Sequence, residues 1–372
     1  MRSSTLVGLL VALALGEEEV RRVVNCSCVR GHNVRLYHFD TRGEMKAGFN
    51  HQTSNLKSVL LEGLSLGRAV VLKSPSLTLK HNYEKPFQFA RWSDYVDFES
   101  SKFFLRIRKT KKLVCEGTIA SCIRDVSDDF LRKWRNSSQE VRYRSGRVPA
   151  EKNNENGLLV RAPGPKSKDG KRDRVSLTRK LPGFADIMAE FQLTLKLKPS
   201  SVIASAVPPV IARLRAQSQT GDVAVVHARR GDKIMLDRYC PLEMQQATSP
   251  QHIASVLKTN GVEPGSSIYL MTNDHTPHYF EPLRDAGYHF TTSTNYDHLH
   301  NLLKGCFTDN NTTKEKNSDY CENYLLFAIE NEIMRAVPVN RRFPTLPKKD
   351  MPTSKHFLMK DFLGKQDSDC KL

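Results

Sequence analysis

Apolar and polar positions in the first part of the chain predict a strand, a helix and a second strand. Val34–His38 predicts a short strand, and the glycine-containing turn Ala47–Gln52 follows it. Thr53 or Ser54 is the predicted N-cap of the helix, because a short hydroxyl side chain accepts from the free amides of a first turn. One helix face carries apolar residues at helical spacing, namely Leu56, Val59, Leu60 and Leu64. Arg68–Lys73 predicts the second strand, which gives the element order of a parallel sheet.

A second set of elements begins near residue 199. Pro199–Gln217 has a helical pattern, which Pro208-Pro209 either kinks or divides. Val223–Val226 is apolar throughout, as expected of a strand that is buried on both faces. The elements that follow are a strand in Ser266–Asp274, a helical piece at Pro282–Ala286, a strand at Tyr288–Thr292 and an amphipathic helix at Glu322–Ala336. The sequence therefore predicts two units of the α/β class.

The segment Glu140–Leu181 separates the two sets and predicts a loop. Its second half carries Pro, Gly and many basic residues with little hydrophobic periodicity. At 372 residues, the chain is long enough for two domains. The predicted organisation is an N-terminal domain at 30–150, a basic loop or linker at 151–182 and a C-terminal domain at 183–372.

The N-terminus predicts entry into the secretory pathway. Arg2 precedes the apolar run Thr5–Leu15, which is shorter than the roughly 20 residues that span a bilayer. We predict a cleavable signal peptide at 1–16, with a short membrane anchor or a misplaced start of the chain as the alternatives. Membrane contact is expected only if this segment stays as an uncleaved anchor. The expected location is the lumen of the endoplasmic reticulum or Golgi.

Eight cysteines at long spacings favour disulfides over a metal site. Cys115 with Cys122 and Cys306 with Cys321 are plausible short-range pairs, but spacing does not determine the connectivity. Acceptor tripeptides for N-glycosylation begin at Asn25, Asn136, Asn310 and Asn311. These tripeptides agree with the secretory route.

The net charge indicates an anionic partner. The chain has 57 Lys and Arg against 40 Asp and Glu, a net charge of +17. Much of the excess lies in Lys102–Lys112, Arg132–Arg147 and Val160–Lys180, which we interpret as solvated basic surface. Nucleic acid is not an expected partner, because the sequence has no zinc-knuckle spacing, recognition-helix pattern or aromatic-interleaved strand motif.

Polar clusters follow two predicted strands of the second unit. His227–Lys233 comes directly after Val223–Val226, and Thr272, Asn273 and Asp274 end the strand after it. Ligands of open α/β sheets bind at the carboxyl ends of the strands. We therefore expect both clusters to line one crevice.

The first cluster has the chemistry of a phosphate site. Arg229 and Arg230 each offer a planar fork of donors that matches phosphate oxygens. His227 can hydrogen-bond a base or ribose, Gly231 permits a tight turn, and Asp232 can orient an arginine or bind ligand hydroxyls. The alternative is structural, with an internal Arg229–Asp232 ion pair and a half-buried His227. Integrin adhesion through Arg230-Gly231-Asp232 is set aside, because the tripeptide abuts a buried strand.

Two motifs resemble one enzyme superfamily. VHARRGDK, at 226–233, resembles the His-x-Arg-Arg-x-Asp-Lys signature of the fucosyltransferases that use GDP-fucose, namely the protein O-fucosyltransferases and the α1,6-fucosyltransferases. AGFNHQTSNLKSVLLEGLSLGRAVVLKSPSLTLKHN, at 47–82, is similar to their N-terminal signature, in which a Gly-Phe/Leu-Asn-x-Gln turn precedes a helix and a strand. ARWSDYVDF and IYLMTND stand where such enzymes carry comparable pieces. The resemblance runs from about Arg35 to Ala336, except for the middle loop.

The resemblance implies a GT-B fold, with two Rossmann-like domains facing a cleft. The N-terminal domain would lie on the acceptor side, and the C-terminal domain would bind the GDP-sugar. The implied reaction is an inverting transfer of fucose from GDP-fucose to a hydroxyl of a protein or glycan acceptor. Neither a metal nor a further cofactor is implied.

The resemblance also implies roles for individual residues. Arg229 matches the arginine at the β-phosphate, where a fixed guanidinium stabilises the charge that develops on the leaving GDP. Arg230 matches the second arginine of the α1,6-type motif and would assist. The candidate donor-binding residues are Gly48, Phe49 and Asn50 of the glycine turn, His227 and Asp232 of the arginine motif, and Thr272, Asn273 and Asp274 of the second strand end.

Two positions depart from the family pattern. One branch of the protein O-fucosyltransferases has a glutamate base immediately before the Gly-Phe-Asn turn, where this chain has Ala47, and Glu44 is the nearest candidate. The Ser/Thr-rich phosphate loop expected after the last strand has no clean match in Asn340–Ser354, where Thr345 is the candidate. A protein that lacked both would bind the donor and turn it over poorly.

Three alternatives to a fucosyltransferase stay open. A transferase of the same fold could use another GDP-sugar. A non-catalytic protein on the same scaffold could bind a glycan or nucleotide. A basic surface protein could bind acidic polysaccharide, which would explain the charge without the residues at the strand ends.

Overall fold

The fold belongs to the mixed α/β class, with parallel and antiparallel sheets. The computed structural model describes residues 36–39, 49, 53, 56, 59–60, 63, 68–72, 86–125, 140–143, 158–161, 191–228, 230, 245–272, 278–303 and 321–343. The chain divides into two compact units, Met1–Ser201 and Val202–Leu372. The second domain is predicted to begin earlier, at 183, whereas a strand at Phe191–Pro199 pairs within the first unit.

A parallel sheet forms one part of the N-terminal unit. The strands of this unit are β1 (Leu36–Phe39), β2 (Ala69–Leu72), β3 (Val96–Ile107), β4 (Leu113–Thr118), β5 (Ile123–Asp125), β6 (Glu140–Tyr143), β7 (Leu158–Arg161) and β8 (Phe191–Pro199). Within the described residues, the parallel sheet has the order β5-β2-β1-β7-β6. The predicted strands near 34–38 and 68–73 are confirmed as β1 and β2.

Helical residues precede β2 as predicted, but the helix includes residues before the expected cap. Phe49 and Thr53 are both helical, and the Thr53 hydroxyl donates to the Phe49 carbonyl at 2.6 Å. Thr53 is therefore not the N-cap, because a threonine whose hydroxyl donates to the carbonyl four residues earlier lies inside a helix. The alternative cap, Ser54, lies outside the described residues. Leu56, Val59 and Leu60 are buried, as their spacing predicts.

Part of the predicted linker belongs to the parallel sheet. Residues 158–161 were assigned to a loop or linker at 151–182, and instead form β7 between β1 and β6. The apolar run Leu158–Val160 is too short to stand out from the basic segment that follows it. Its backbone groups find partners in a parallel strand on each side. The remainder of 151–182 lies outside the described residues.

An antiparallel sheet of the order β4-β3-β8 forms the other part of this unit. Side chains along β3 alternate between faces, with Ser101, Phe103 and Leu105 buried and Lys102 exposed between them. The charge of Lys102–Lys112 indicated only a solvated surface. The run also supplies a buried face, because its apolar residues recur at every second position.

The C-terminal unit alternates strands and helices along the chain. Its elements are α1 (Ser201–Gln217), β9 (Val223–Ala228), α2 (Pro250–Thr259), β10 (Ser267–Thr272), α3 (Pro282–Asp285), β11 (His289–Thr291), α4 (Asp297–Leu302), α5 (Asn323–Ala336) and β12 (Arg342–Phe343). The predicted strands and helices of this part are confirmed. The Pro208-Pro209 pair lies inside α1, which is continuous.

The strands of the C-terminal unit form a parallel sheet in the order β11-β10-β9-β12. The central strands β9 and β10 are buried almost throughout, with Ala224, Val226, Ile268 and Leu270 fully inaccessible. Helix α2 packs on the same cluster through Ile253 and other apolar residues. Burial on both faces explains why these strands are continuous apolar runs rather than alternating ones.

Arg341 ties the amino-terminal end of this sheet to neighbouring segments. Its Nε donates to the Asp222 carboxylate at 2.6 Å, just before β9. Its terminal nitrogens donate to the carbonyls of Asn260 and Gly261 after α2, at 3.3 and 3.1 Å. A planar guanidinium can hold these three partners at once, so one side chain fixes the start of β9, the end of α2 and the segment before β12.

Cys122 and Cys321 are buried and disulfide-bonded, in agreement with the interpretation of the cysteines as disulfides. The pairings named in the sequence analysis stay predictions. Among the described residues, no helix is long and apolar enough to cross a membrane. The predicted signal peptide at 1–16 lies outside them.

A buried acid lies in the core of the C-terminal unit. The Glu330 side chain on α5 accepts a hydrogen bond from the Tyr269 hydroxyl on β10, at 3.3 Å. Burial raises the pKa of Glu330 from its ordinary 4.5 to about 8, although the Tyr269 hydrogen bond lowers it. Burial, and then Glu330, raise the pKa of Tyr269 well above its ordinary value. Both groups are therefore neutral at pH 7.

The raised pKa of Glu330 predicts a loss of stability as the pH rises. Between about 4.5 and 8 the folded state keeps a proton that the unfolded state releases, so the free energy of unfolding falls by up to about 1.4 kcal/mol per pH unit. Below 4.5 this contribution is fully present. Glu330→Gln is neutral at every pH and should show no such fall. Urea unfolding at pH 5, 6, 7 and 8 measures the difference.

Glu332→Gln is the matched control, because Glu332 lies on the same helix, is partly exposed and forms an ion pair with Arg335. This variant should follow the pH dependence of the unmodified protein. Parallel curves for the Glu330→Gln variant and the unmodified protein would show that Glu330 does not titrate in this range.

Candidate functional site

The two polar clusters follow neighbouring strands of the C-terminal sheet. In the parallel pairing of β9 with β10, His227 lies opposite Met271 and Ala228 lies opposite Thr272. The carboxyl ends of the strands therefore meet at one edge. Among the described members of the clusters, His227 and Thr272 lie at the ends of β9 and β10, and Arg230 follows β9. This is the edge at which ligands bind in open α/β sheets. The expectation that both clusters line one crevice stays a prediction.

His227 is the one residue of β9 that is not fully buried. Its ring lies 6.1 Å from the ring of Phe327 on α5, at an interplanar angle of 59°. The strand thus presents its single polar side chain next to α5. This position allows the imidazole to take part in hydrogen bonding while its face packs on an aromatic ring.

Arg230 follows β9 and is only 4% exposed. Its terminal nitrogen Nη1 donates to the Thr248 hydroxyl at 3.0 Å and to the Tyr279 hydroxyl at 2.5 Å. The guanidinium carbon also lies 3.7 Å from the centroid of the Tyr279 ring. A buried cation on an aromatic face gains about 2 kcal/mol or more, because little water competes for it.

The partners of Arg230 come from two different turns. Thr248 precedes α2, whose N-cap Ser249 accepts from the His252 amide at 3.2 Å. Tyr279 lies in the turn before α3 and packs edge-on against Phe280, with centroids 4.8 Å apart. Arg230 thereby connects the segment after β9 to the segments before two helices. No local pattern marks Thr248 or Tyr279, which stand 18 and 49 residues away, so sequence reasoning missed both.

Thr272 is the last residue of β10 and is partly exposed. It adds a hydroxyl beside the end of β9, because its backbone lies opposite Ala228. Together, the described part of this edge offers an imidazole, a hydroxyl and a fixed, buried guanidinium. In the register, His227 and Thr272 stand at successive positions, so their side chains leave the sheet on opposite faces. The Arg230 guanidinium is already bonded to Thr248 and Tyr279.

Several candidate residues lie outside the described residues. These are Glu44, Gly48, Asn50, Arg229, Asp232, Asn273, Asp274 and Thr345. Their roles stay predictions, as does the alternative of an internal Arg229–Asp232 ion pair.

Phe49 is the described member of the glycine turn. Its ring lies 5.0 Å from that of Tyr95, at 45°. The Tyr95 hydroxyl donates to the Phe89 carbonyl at 2.9 Å. The glycine turn therefore contacts the ARWSDYVDF segment inside the N-terminal unit, and the Phe49 ring contributes to packing there. Aromatic pairs in this distance range add about 0.5–1.5 kcal/mol beyond burial of area.

In the part of the chain that the structure describes, no group of three or more His, Cys, Asp or Glu side chains is placed to hold a metal ion. In comparisons with known proteins, no protein-family model and no curated protein matches this chain.

The contacts of Arg230 predict a specific loss of stability. Tyr279→Phe keeps the aromatic face but removes the hydroxyl that accepts from a buried cation, so it should lower the free energy of unfolding by about 1.5–3 kcal/mol. Tyr288→Phe is the matched control. It also removes a buried hydroxyl, which donates to the Val262 carbonyl at 2.9 Å, but both of its groups are neutral.

The control should lose only about 0.5–1.5 kcal/mol, because a hydrogen bond between neutral groups contributes less than one to a charge. Urea unfolding of both variants at one pH measures the two losses. A loss at Tyr279 no larger than that at Tyr288 would contradict the role of Tyr279 as a partner of a buried charge.

Proposed function

We propose that this protein is a GT-B-type glycosyltransferase that transfers fucose from GDP-fucose to a hydroxyl of a protein or glycan acceptor, with inversion. The observation that carries the proposal is the edge of the C-terminal sheet, where His227, Thr272 and the arginine motif follow neighbouring parallel strands. The resemblance of VHARRGDK to the family signature is the reason for proposing GDP-fucose as the donor. The secretory location inferred from the N-terminal segment suits such an enzyme.

The described contacts favour different roles for the two arginines. The Arg230 guanidinium is buried against Thr248 and Tyr279, so we assign it to holding the loop in place. Arg229 then carries the catalytic part of the proposal, with its guanidinium on the β-phosphate of the donor. It would stabilise the charge that accumulates on GDP as the glycosidic bond breaks.

The remaining roles follow the resemblance. His227 and Asp232 would lie near the nucleotide, and Thr272, Asn273 and Asp274 would complete the site at the neighbouring strand end. Asn50 in the glycine turn would contact the donor from the N-terminal domain. Glu44 is the proposed candidate for the base, since Ala47 occupies the family position. A guanidinium in place of a divalent cation makes metal-independent transfer chemically coherent.

Arg229→Ala should lower fucose transfer about 100-fold or more, because one preorganised group on a developing charge contributes on that scale. Isothermal calorimetry should show saturable GDP binding that does not need magnesium, and weaker binding in the variant. Arg215→Ala is the matched control, since Arg215 is an exposed arginine on α1. Its transfer rate and GDP affinity should equal those of the unmodified protein.

A donor-hydrolysis screen across GDP-fucose, GDP-mannose and UDP-sugars tests the choice of donor. A preference for GDP-mannose would support the alternative of a transferase with the same fold and a different donor. Saturable GDP binding without hydrolysis or transfer would favour a non-catalytic nucleotide-binding protein. Failure to bind GDP at all would overturn the proposal.

A further inference from the structure

The antiparallel sheet of the N-terminal unit carries a basic face. We define this face by Lys102 and Arg106 on β3 and by Lys196 and Lys198 on β8. The three lysines are exposed, and Arg106 is partly exposed. Directly opposite residues of paired strands point to the same side of a sheet, and here Lys102 lies opposite Lys196. The four cations therefore share one surface.

The opposite face of the same sheet is covered. Phe103 and Leu105 on β3 are 2% and 3% exposed, and Ser101 is fully buried. The Ser101 hydroxyl accepts from the Lys198 amide at 2.9 Å, which fixes β8 on β3. The basic face is thus held on a rigid element whose other side is core.

The pairing of Lys102 with Lys196 is unfavourable within the protein alone. Like charges directly opposite on neighbouring strands repel, because the Cβ atoms of such a pair are only about 5 Å apart. Within the described part of the chain, neither lysine forms an ion pair. The ammonium of Lys196 instead lies 5.0 Å from the centroid of the Phe104 ring. An anionic ligand that lies across both lysines would remove this repulsion.

Acidic residues next to the basic face do not neutralise it. Asp97 lies opposite Lys198 in the register, but its carboxylate accepts from the Ser100 amide at 3.0 Å rather than pairing with the lysine. Hydrogen bonds from the Ser100 side chain, and then from its amide, lower the pKa of Asp97. Glu116 on β4 lies opposite Phe104 and is exposed. Glu116 therefore stands on the basic face, where its one carboxylate is outnumbered by the four cations that define the face.

The turn between β3 and β4 extends the same charge. Arg106 donates to the Lys111 carbonyl at 3.1 Å, and the Lys111 ammonium contacts the Gln192 side chain at 3.3 Å. These contacts hold the turn against β8. Its exposed cations are Arg108, Lys109, Lys111 and Lys112. The basic face and this turn together form a continuous cationic strip suited to a linear polyanion.

The chemistry of the strip distinguishes between polyanions. Single-stranded nucleic acid is held by open aromatic rings on which bases stack. The ring on this face is that of Phe104, which is partly buried and lies beneath the Lys196 ammonium. The described side chains around it are lysines, Arg106, polar residues and the carboxylate of Glu116. The face therefore favours closely spaced anionic groups without bases.

We infer that the basic face binds a sulfated polysaccharide. Lysines on neighbouring strands and on alternate positions of one strand recur every 5–7 Å or so, a spacing that lets one extended chain contact several of them. The residues of this face are not among the proposed donor-binding residues, and the inference goes beyond the proposed transferase activity. The inference about polysaccharide binding does not depend on the role of Arg229.

Fluorescence anisotropy with a labelled, size-defined heparin oligosaccharide tests the inference on the full chain. Lys102→Gln/Lys196→Gln should weaken binding by about 20-fold at moderate salt, since each lysine beside an anionic surface contributes roughly a factor of five. The matched control, Arg215→Gln/Lys258→Gln, removes the same charge from exposed positions of the C-terminal unit and should bind normally. Lys102→Arg/Lys196→Arg keeps the charge and should also bind normally.

Thermal unfolding shows that a loss of binding is not a loss of folding. Lys102→Gln/Lys196→Gln should be at least as stable as the unmodified protein, because it removes a repulsive pair. Salt should weaken binding less steeply in this variant than in the control. Equal losses in the two Gln variants would overturn the inference. So would equal binding of fully desulfated heparin, or tighter binding of single-stranded DNA.

Discussion

The pairing of β9 with β10 determines where every described candidate of the C-terminal edge lies. Both strands run through the core and pair along their whole length, from Val223 opposite Ser267 to Ala228 opposite Thr272. Since neither face of these strands meets water, a polar side chain that binds a ligand must stand where a strand ends. The burial of β9 therefore places the arginine motif at the edge and gives His227 its partial exposure.

Two arginines fix this strand from opposite ends. Arg341 binds Asp222 and the carbonyls after α2 at the amino end, while Arg230 binds Thr248 and Tyr279 beyond the carboxyl end. At Arg341 a planar fork of donors joins three segments, and a lysine could not replace it, because a single ammonium cannot contact separated partners in one plane. At Arg230 one nitrogen, Nη1, donates to both hydroxyls, and the Tyr279 ring packs on the guanidinium.

Sequence patterns predicted the strands that are apolar throughout. They missed the strands in which buried apolar residues stand among or beside many charged residues. Val223–Val226 and Ser266–Asp274 were recognisable because strands buried on both faces are unbroken apolar runs. The antiparallel sheet was not predicted, since the alternation of Phe103 and Leu105 lies inside a run dominated by Lys and Arg. β7 was missed for a related reason, because three apolar residues precede a long basic segment.

The candidate site was predictable in its position but not in its internal division of roles. The family resemblance gave Arg229 the β-phosphate and Arg230 an assisting role, and no local pattern indicates that Arg230 is buried against Thr248 and Tyr279. That burial comes from tertiary contacts, because Tyr279 supplies both a ring face and a hydroxyl to Arg230. A guanidinium held in this way cannot move with a ligand. Its contacts fix the backbone next to it. The structure shows an anchored arginine at Arg230, and the proposal leaves the ligand to Arg229.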